Sequence, residues 1–177
     1  GMGFVEETGI AQHYRDARII TIYEGTTGIQ ANDLVGRKVL RENGATLREL
    51  IADMRGVGAE LAAARGLQAM ALRLEEDIAA LERALDWILA NGRENLAQVL
   101  AGAVPFLHLL GTVSGSWQMA RVALAAVRGG GDYSADYRGQ LAELARFYAH
   151  HLGVQAHAHA AAIVGAGETA QAFALEL

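Results

Sequence analysis

Apolar residues recur every third or fourth position over two long stretches of the chain. Leu47, Leu50, Ile51, Met54, Val57 and Leu61 fall on one face of a helix. Leu74, Ile78, Leu81, Leu85 and Ile88 repeat the pattern, with Glu75, Glu76, Glu82 and Arg83 directed to solvent. Asn43-Gly44 and Asn91-Gly92 are stop signals around them. Upstream, a short helix from Thr8 or Gly9 to Ala17 carries Ile10, Ala11 and Tyr14, and a tight apolar link from Ile19 to Tyr23 leads to Glu24. Thr27-Gly28-Ile29-Gln30 fits a capping box and predicts a helix from about Gly28 to Arg41. Downstream, the Ala/Leu/Val segment from Glu94 to Arg128 reads as a kinked helix or two collinear ones, interrupted at Pro105, Gly111 and Gly115. Arg128 to Asp132 reads as a loop. Ser134 then caps a helix carrying Tyr137, Leu141, Leu144, Tyr148 and Leu152, continued by an Ala-rich stretch to about Val164. Gly165-Ala166-Gly167 is read as its end and Glu168 to Leu177 as a last short helix.

No strand-like alternation longer than about five residues competes with this. The expected fold is all-α: a short N-terminal helical segment, residues 1–43, followed by an up-down bundle of about four helices over residues 44–177. Composition agrees, since 52% of the 177 residues are hydrophobic and only one is proline.

Charge and residue usage narrow the function. A net charge of −5 with no basic stripe argues against nucleic acid. The absence of cysteine excludes disulfides, thiolate catalysis and Cys-ligated zinc. No cationic segment precedes an apolar one at the N-terminus, so no signal peptide is read and a cytoplasmic setting is expected. The most apolar stretch, Leu96 to Val113, is interrupted by Gln98, Pro105 and His108, which favours a buried helix over a membrane span. His150, His151, His157 and His159 have no carboxylate three or four residues on and no HExxH pattern, so no metal site is expected. Gly129-Gly130-Gly131 lacks the Lys-Ser/Thr of a phosphate loop, and Trp87 and Trp117 read as core or interface anchors.

The chemistry concentrates near Glu24, one carboxylate among apolar neighbours, immediately before a glycine turn and a helix start. Partial desolvation there raises its proton affinity towards the range useful for a base. Gly25 lets the backbone turn tightly, and Thr26, Thr27 and Gln30 open a helix whose amides suit a polar or anionic group, although capping alone also explains Thr27 and Gln30. Arg15, Asp16 and Arg18 read as a structural ion-pair group.

Ile22-Tyr23-Glu24-Gly25-Thr26 resembles the catalytic segment of the flavin-dependent acyl-CoA dehydrogenases, and Gly1-Met2-Gly3-Phe4 and Tyr14-Arg15-Asp16-Ala17-Arg18 match that family in the same order. The resemblance covers roughly the first forty residues. It implies that Glu24 removes the C2 proton of an acyl-CoA thioester, that the Glu24 amide helps hold the thioester carbonyl, and that FAD takes the hydride. It further implies Gly1, Gly3, Thr26 and Gln30 as FAD contacts and Tyr23 and Gly25 as substrate contacts. The implied partners are an electron-transfer flavoprotein-type acceptor and a second subunit, a dimer being favoured among homo-oligomers. More than a hundred residues follow this segment, where short members end after one more helix. The chain thus resembles the longer members with an appended helical domain, including those acting on 3-methylthiopropanoyl-CoA. We therefore expect a C-terminal piece of a longer enzyme, inactive by itself. The alternative is a non-catalytic dimerisation or interaction module formed by the bundle from about Gly44 to Val164. A flavoprotein of this fold diverted to DNA repair or stress response is disfavoured by the missing basic patch.

Overall fold

The computed structural model describes residues 1–23, 25–129 and 133–172, with side chains as far as residue 165. The described residues form helices and turns, with no strand among them. Two compact units are present, Gly1–Gln30 and Ala31–Leu177. The first holds two single-turn 3₁₀ segments, Met2–Phe4 and Glu6–Thr8, then α1 (Ile10–Ile20) and the start of α2 (Thr27–Asn32). The second begins within α2, which continues as a π-helical stretch, Asp33–Leu40. There follow α3 (Ala45–Ala63), α4 (Gln68–Asn91), α5 (Leu96–Ala101), α6 (Ala103–Arg128), α7 (Ala135–His151) and α8 (Gln155–Ala172).

Two local expectations near the N-terminus are corrected. The link expected from Ile19 to Tyr23 is helical through Ile20, and the amides of Ile22 and Tyr23 close onto the Ile19 carbonyl at 3.1 and 2.8 Å. No glycine or proline lies between Ala17 and Thr21. The β-branched run there weakens helix propensity by only tenths of a kcal/mol per residue, roughly, too little to end a helix already nucleated. The cap of α2 is also displaced by one residue. Thr26, not Thr27, accepts the Ile29 amide on its hydroxyl at 3.3 Å, and its carbonyl accepts the first helical bond from Gln30 at 3.0 Å.

The core of the second unit is built on α4 and α6. The expected faces of α3 and α4 are inside: Leu47, Ile51, Met54 and Leu61 are buried, as are Leu74, Ile78, Leu81, Leu85 and Ile88. Ala31, Val35 and Val39, four residues apart, add the inner face of the second helical stretch to the same cluster. Asn43 and Gly44 both have positive φ, 52° and 74°, which turns the chain sharply into α3.

The break in the Glu94–Arg128 segment falls at Gly102, between α5 and α6. Pro105 does not kink the helix because it is the third residue of α6, where its missing N–H has no intrahelical partner to lose. Gly102 also lies tight on α8, where an added Cβ would sit 3.4 Å from the Ile163 Cα. Gly111 and Gly115 remain inside a continuous α6.

α7 starts as expected, with the Ser134 hydroxyl accepting the Tyr137 amide at 3.2 Å. Its core face is unexpected, for the buried residues are Ala142, Ala145 and Ala149, while Tyr137 and Leu144 stay exposed. Small side chains let α7 approach α6 closely, and this close approach takes the place of large apolar groups. The Ala-rich continuation is a separate helix, because the chain turns between His151 and Gln155. α8 then runs through Gly165-Ala166-Gly167 to Ala172, so those glycines do not end it. A helical glycine costs about 1 kcal/mol relative to alanine, a penalty that the surrounding alanines absorb. Of the expected final helix, residues 173–177 lie outside the described residues, as do Gly130, Gly131 and Asp132 of the expected loop. Among the described residues no helix is long and apolar enough to cross a membrane.

Candidate functional site

Within the first unit, α1 and the turn after it lead to Tyr23. Thr21 fixes the end of α1, its hydroxyl donating to the Arg18 carbonyl at 2.9 Å and accepting from the Arg18 guanidinium at 2.6 Å. Tyr23, anchored through its amide to Ile19, then projects its ring into solvent at 89% exposure. Glu24 lies outside the described residues. On its far side, Gly25 is separated from α2 by Thr26 alone. Its missing side chain matters for space: a Cβ there would come within 3.3 Å of the Ile29 Cγ2 and 3.5 Å of the Gln30 amide nitrogen.

Ile22, Tyr23, Gly25 and Gln30 line one open depression of about 360 Å³. The structure thus brings together Tyr23, Gly25 and Gln30, three of the residues singled out in the sequence, on the two sides of position 24. Thr26 adjoins them, with its hydroxyl committed to the Ile29 amide. Gly1 and Gly3 stand elsewhere. The Gly1 carbonyl accepts the Phe4 amide at 3.0 Å, and Gly3 lines a separate cleft with Phe4, Ala11, Tyr14 and Arg15. Nothing nearer than 3.8 Å would meet a Cβ at Gly3, whose φ is not positive, so the local fold of this segment does not itself demand glycine at that position.

The expected ion-pair group is arranged differently from its sequence order. Arg15 pairs bidentately with Glu6 at 2.7 and 3.2 Å, which holds the Glu6 carboxyl below its ordinary range, and Asp16 accepts instead from Gln12 at 2.9 Å. This pairing ties the 3₁₀ entry to α1. The surface of the unit is strongly apolar: Met2, Phe4, Ile10, Tyr14, Ile20 and Ile22 are all exposed beyond half. Exposed apolar side chains in that density mark a surface built to be covered.

A second polar centre, absent from the sequence reading, lies in the bundle. Asp77 is 1% exposed and accepts the Ser116 hydroxyl at 2.7 Å on Oδ2, while its Oδ1 is buried without a protein partner. Burial pushes its pKa up to about 6, against the opposing pull of the Ser116 hydrogen bond and of Arg73 and His157. Tyr148, also raised by burial and by Asp77, covers Gly115 and donates to the Thr112 carbonyl at 3.3 Å. The available signal was positional: Asp77 sits three residues after Leu74, on the apolar face of α4. Among the described residues no group of three metal-ligating side chains converges. His108 and His159 stack at 5.6 Å instead, and burial lowers the His159 pKa.

Comparison with known proteins bears on both units. Residues 1–40 match the family described as acyl-CoA dehydrogenase, C-terminal domain, and residues 40–174 match that described as acetyl-CoA dehydrogenase C-terminal like. The chain is 53% identical over 129 residues to the 3-methylmercaptopropionyl-CoA dehydrogenase of Ruegeria pomeroyi, covering 71% of this chain and 22% of that protein. It is 35% identical over 163 residues to the broad-specificity linear acyl-CoA dehydrogenase FadE5 of Mycobacterium tuberculosis, covering 84% of this chain and 26% of that one. A 30-residue stretch is 63% identical to the mitochondrial short-chain specific acyl-CoA dehydrogenase of Bos taurus, covering 17% of this chain and 7% of that enzyme. The chain therefore spans about a quarter of the length of the first two curated relatives.

Proposed function

Because this chain belongs to the acyl-CoA dehydrogenase family, with its greater part in the C-terminal-like branch, we propose that it is the C-terminal portion of an FAD-dependent acyl-CoA dehydrogenase. Residues 1–43 carry the catalytic segment in this reading, and residues 44–177 are an appended helical domain. The single observation that carries the proposal is the match of residues 1–40, which include Tyr23-Glu24-Gly25-Thr26, to the family, with Tyr23, Gly25 and Gln30 lining one depression.

Glu24 is the base. It takes the C2 proton of the acyl thioester, and its backbone N–H holds the thioester carbonyl, so that the charge developing on oxygen is stabilised as the proton leaves. Tyr23 lines the acyl side, and Gly25 leaves room for the substrate beside α2. The depression is open and lined by four residues, which fits an edge contact with a flavin and not its enclosure. Gln30 and Thr26 are the residues that would touch the flavin there. The Thr26 contact would be through whatever hydrogen-bonding capacity its hydroxyl retains beyond the Ile29 amide. Gly3 would meet it from the separate cleft and Gly1 from the turn beside it, in keeping with a contribution to a neighbouring subunit's site. FAD, when bound, supplies the hydride acceptor. The exposed apolar surface of the first unit supports a site completed by other polypeptide. In this reading an electron-transfer flavoprotein-type acceptor is the reoxidant and the setting is cytoplasmic.

A chimera tests this. The corresponding C-terminal region of the Ruegeria pomeroyi relative is replaced by this chain, and flavin content and acyl-CoA dehydrogenation are measured. Retained flavin with turnover is expected, and Glu24→Gln in the chimera should lower turnover by at least about 10³-fold while acyl-CoA still perturbs the flavin spectrum. Turnover surviving in Glu24→Gln would overturn the assignment. The 177-residue chain alone should neither retain FAD nor turn over.

A further inference from the structure

Among the described residues, three buried side-chain atoms have no protein hydrogen-bond partner: Arg73 Nε, Asp77 Oδ1 and Trp117 Nε1. Two of them belong to residues one turn apart on α4, and they are of opposite kind. Arg73 Nε can only donate, and Asp77 Oδ1, while the carboxylate is ionised, can only accept. The Arg73 charge acts on the Asp77 carboxyl, yet the two side chains make no hydrogen bond to each other.

The remaining atoms of both groups are already engaged. The Arg73 guanidinium donates from Nη1 to Glu76, half-exposed on the rim of α4, which leaves Nε as its buried donor. Asp77 Oδ2 accepts the Ser116 hydroxyl at 2.7 Å, and the Gly153 backbone crowds that oxygen, since a Cβ there would stand 2.7 Å from it. The unused acceptor is therefore Oδ1.

A donor and an acceptor shut away from solvent are both costly to leave unpaired. Residues four apart on a helix carry their Cβ atoms about 5–6 Å apart. Two hydrogen bonds of about 2.8–3.0 Å meeting at one oxygen bridge a gap of that order. The occupant has to accept from one side and donate to the other. Water does both, whereas a metal or ammonium cation cannot accept from an N–H. Arg73 and His157 already act on Asp77 as positive charges, and among the described residues no three metal-ligating side chains converge.

We infer that the bundle binds one internal water molecule, which accepts from Arg73 Nε and donates to Asp77 Oδ1, making the two residues a water-separated pair. The inference rests on the bundle alone and is independent of the dehydrogenase reading.

A high-resolution crystal structure of the 177-residue chain tests it. The expected result is a single peak within about 2.6–3.2 Å of both atoms, refining as a fully occupied oxygen. No peak, or a direct bond from Arg73 Nε to Asp77 Oδ1, would overturn the inference. Crystals grown in rubidium chloride separate water from a cation, because an anomalous peak at the site would equally overturn it. In solution, the Arg73 Nε proton, identified by its loss in Arg73→Lys, should show water cross-peaks of opposite sign in NOESY and ROESY spectra. That is the mark of a long-lived bound water. Peaks of equal sign, which report exchange with bulk solvent, or no peaks at all count against it.

Discussion

Ser116 donates its hydroxyl hydrogen to Asp77 at 2.7 Å, joining α6 to α4 at a point where both side chains are buried. The carboxylate satisfies one oxygen this way and leaves Oδ1 without a protein partner, so ionising it inside the bundle is costly. That cost is the reason its pKa rises to about 6.

A raised carboxyl pKa fixes the sign of a pH dependence. Between the unfolded value near 3.9 and the folded value of about 6, the native state holds more protons than the unfolded chain, so stability falls as pH rises through this window and levels off above it. The difference in unfolding free energy between the native protein and Asp77→Asn should therefore change by about 2–3 kcal/mol from pH 4 to pH 7, in favour of Asn at the higher pH. Urea unfolding at the two pH values measures it. Parallel curves would show that Asp77 does not titrate in this window.

Gly115 lies directly beneath the Tyr148 phenol, where an added Cβ would fall 1.9 Å from the Tyr148 oxygen. Gly115→Ala must displace the ring and break its hydrogen bond to the Thr112 carbonyl, so a net loss of about 1–2 kcal/mol is expected despite the better helix propensity of alanine. In a Tyr148→Ala background the sign should reverse, with alanine at 115 stabilising by about 0.5–1 kcal/mol. Thermal unfolding of the four proteins in the cycle decides it.

Among the described large apolar residues of the second unit, Phe106 is fully buried and Leu72 is the most exposed, at 70%. Phe106→Ala should cost about 3–5 kcal/mol, and Leu72→Ala less than about 0.5 kcal/mol. Similar costs measured by denaturant titration would contradict the packing described for α4 and α6.

The parts of the fold that were legible in the sequence are those where large apolar residues alone decide burial. Leu74, Ile78, Leu81, Leu85 and Ile88 are the inner face of α4 as their spacing predicts, and Ser134 caps α7. α7 itself misled because Tyr137 and Leu144 outweigh Ala142, Ala145 and Ala149 in any hydrophobic pattern. Alanine, however, gains more from close helix approach than its size suggests. Pro105 misled because a proline reads as a breaker until its place in the first turn is known. At the candidate site, Tyr23, Gly25 and Gln30, singled out in the sequence, line one depression together with Ile22. Gly1 and Gly3 were chosen by family likeness, and the described fold puts Gly3 in a different cleft. Asp77 is signalled by its place three residues after Leu74 on the apolar face of α4, but the large apolar residues alone defined that face in the sequence.

Rows of alanine have a weakness that Gly153 corrects. Smooth helix faces can slide past one another by a turn at little cost, since each position resembles the next. The backbone of Gly153 rests on the Asp77–Ser116 pair so closely that a Cβ would stand 2.7 Å from the Asp77 Oδ2 and 3.0 Å from the Ser116 Oγ. Leu152 and Val154, its neighbours, cannot occupy that seat. The hairpin of α7 and α8 therefore has one detent, a single notch that indexes two otherwise featureless helices against the rest of the bundle.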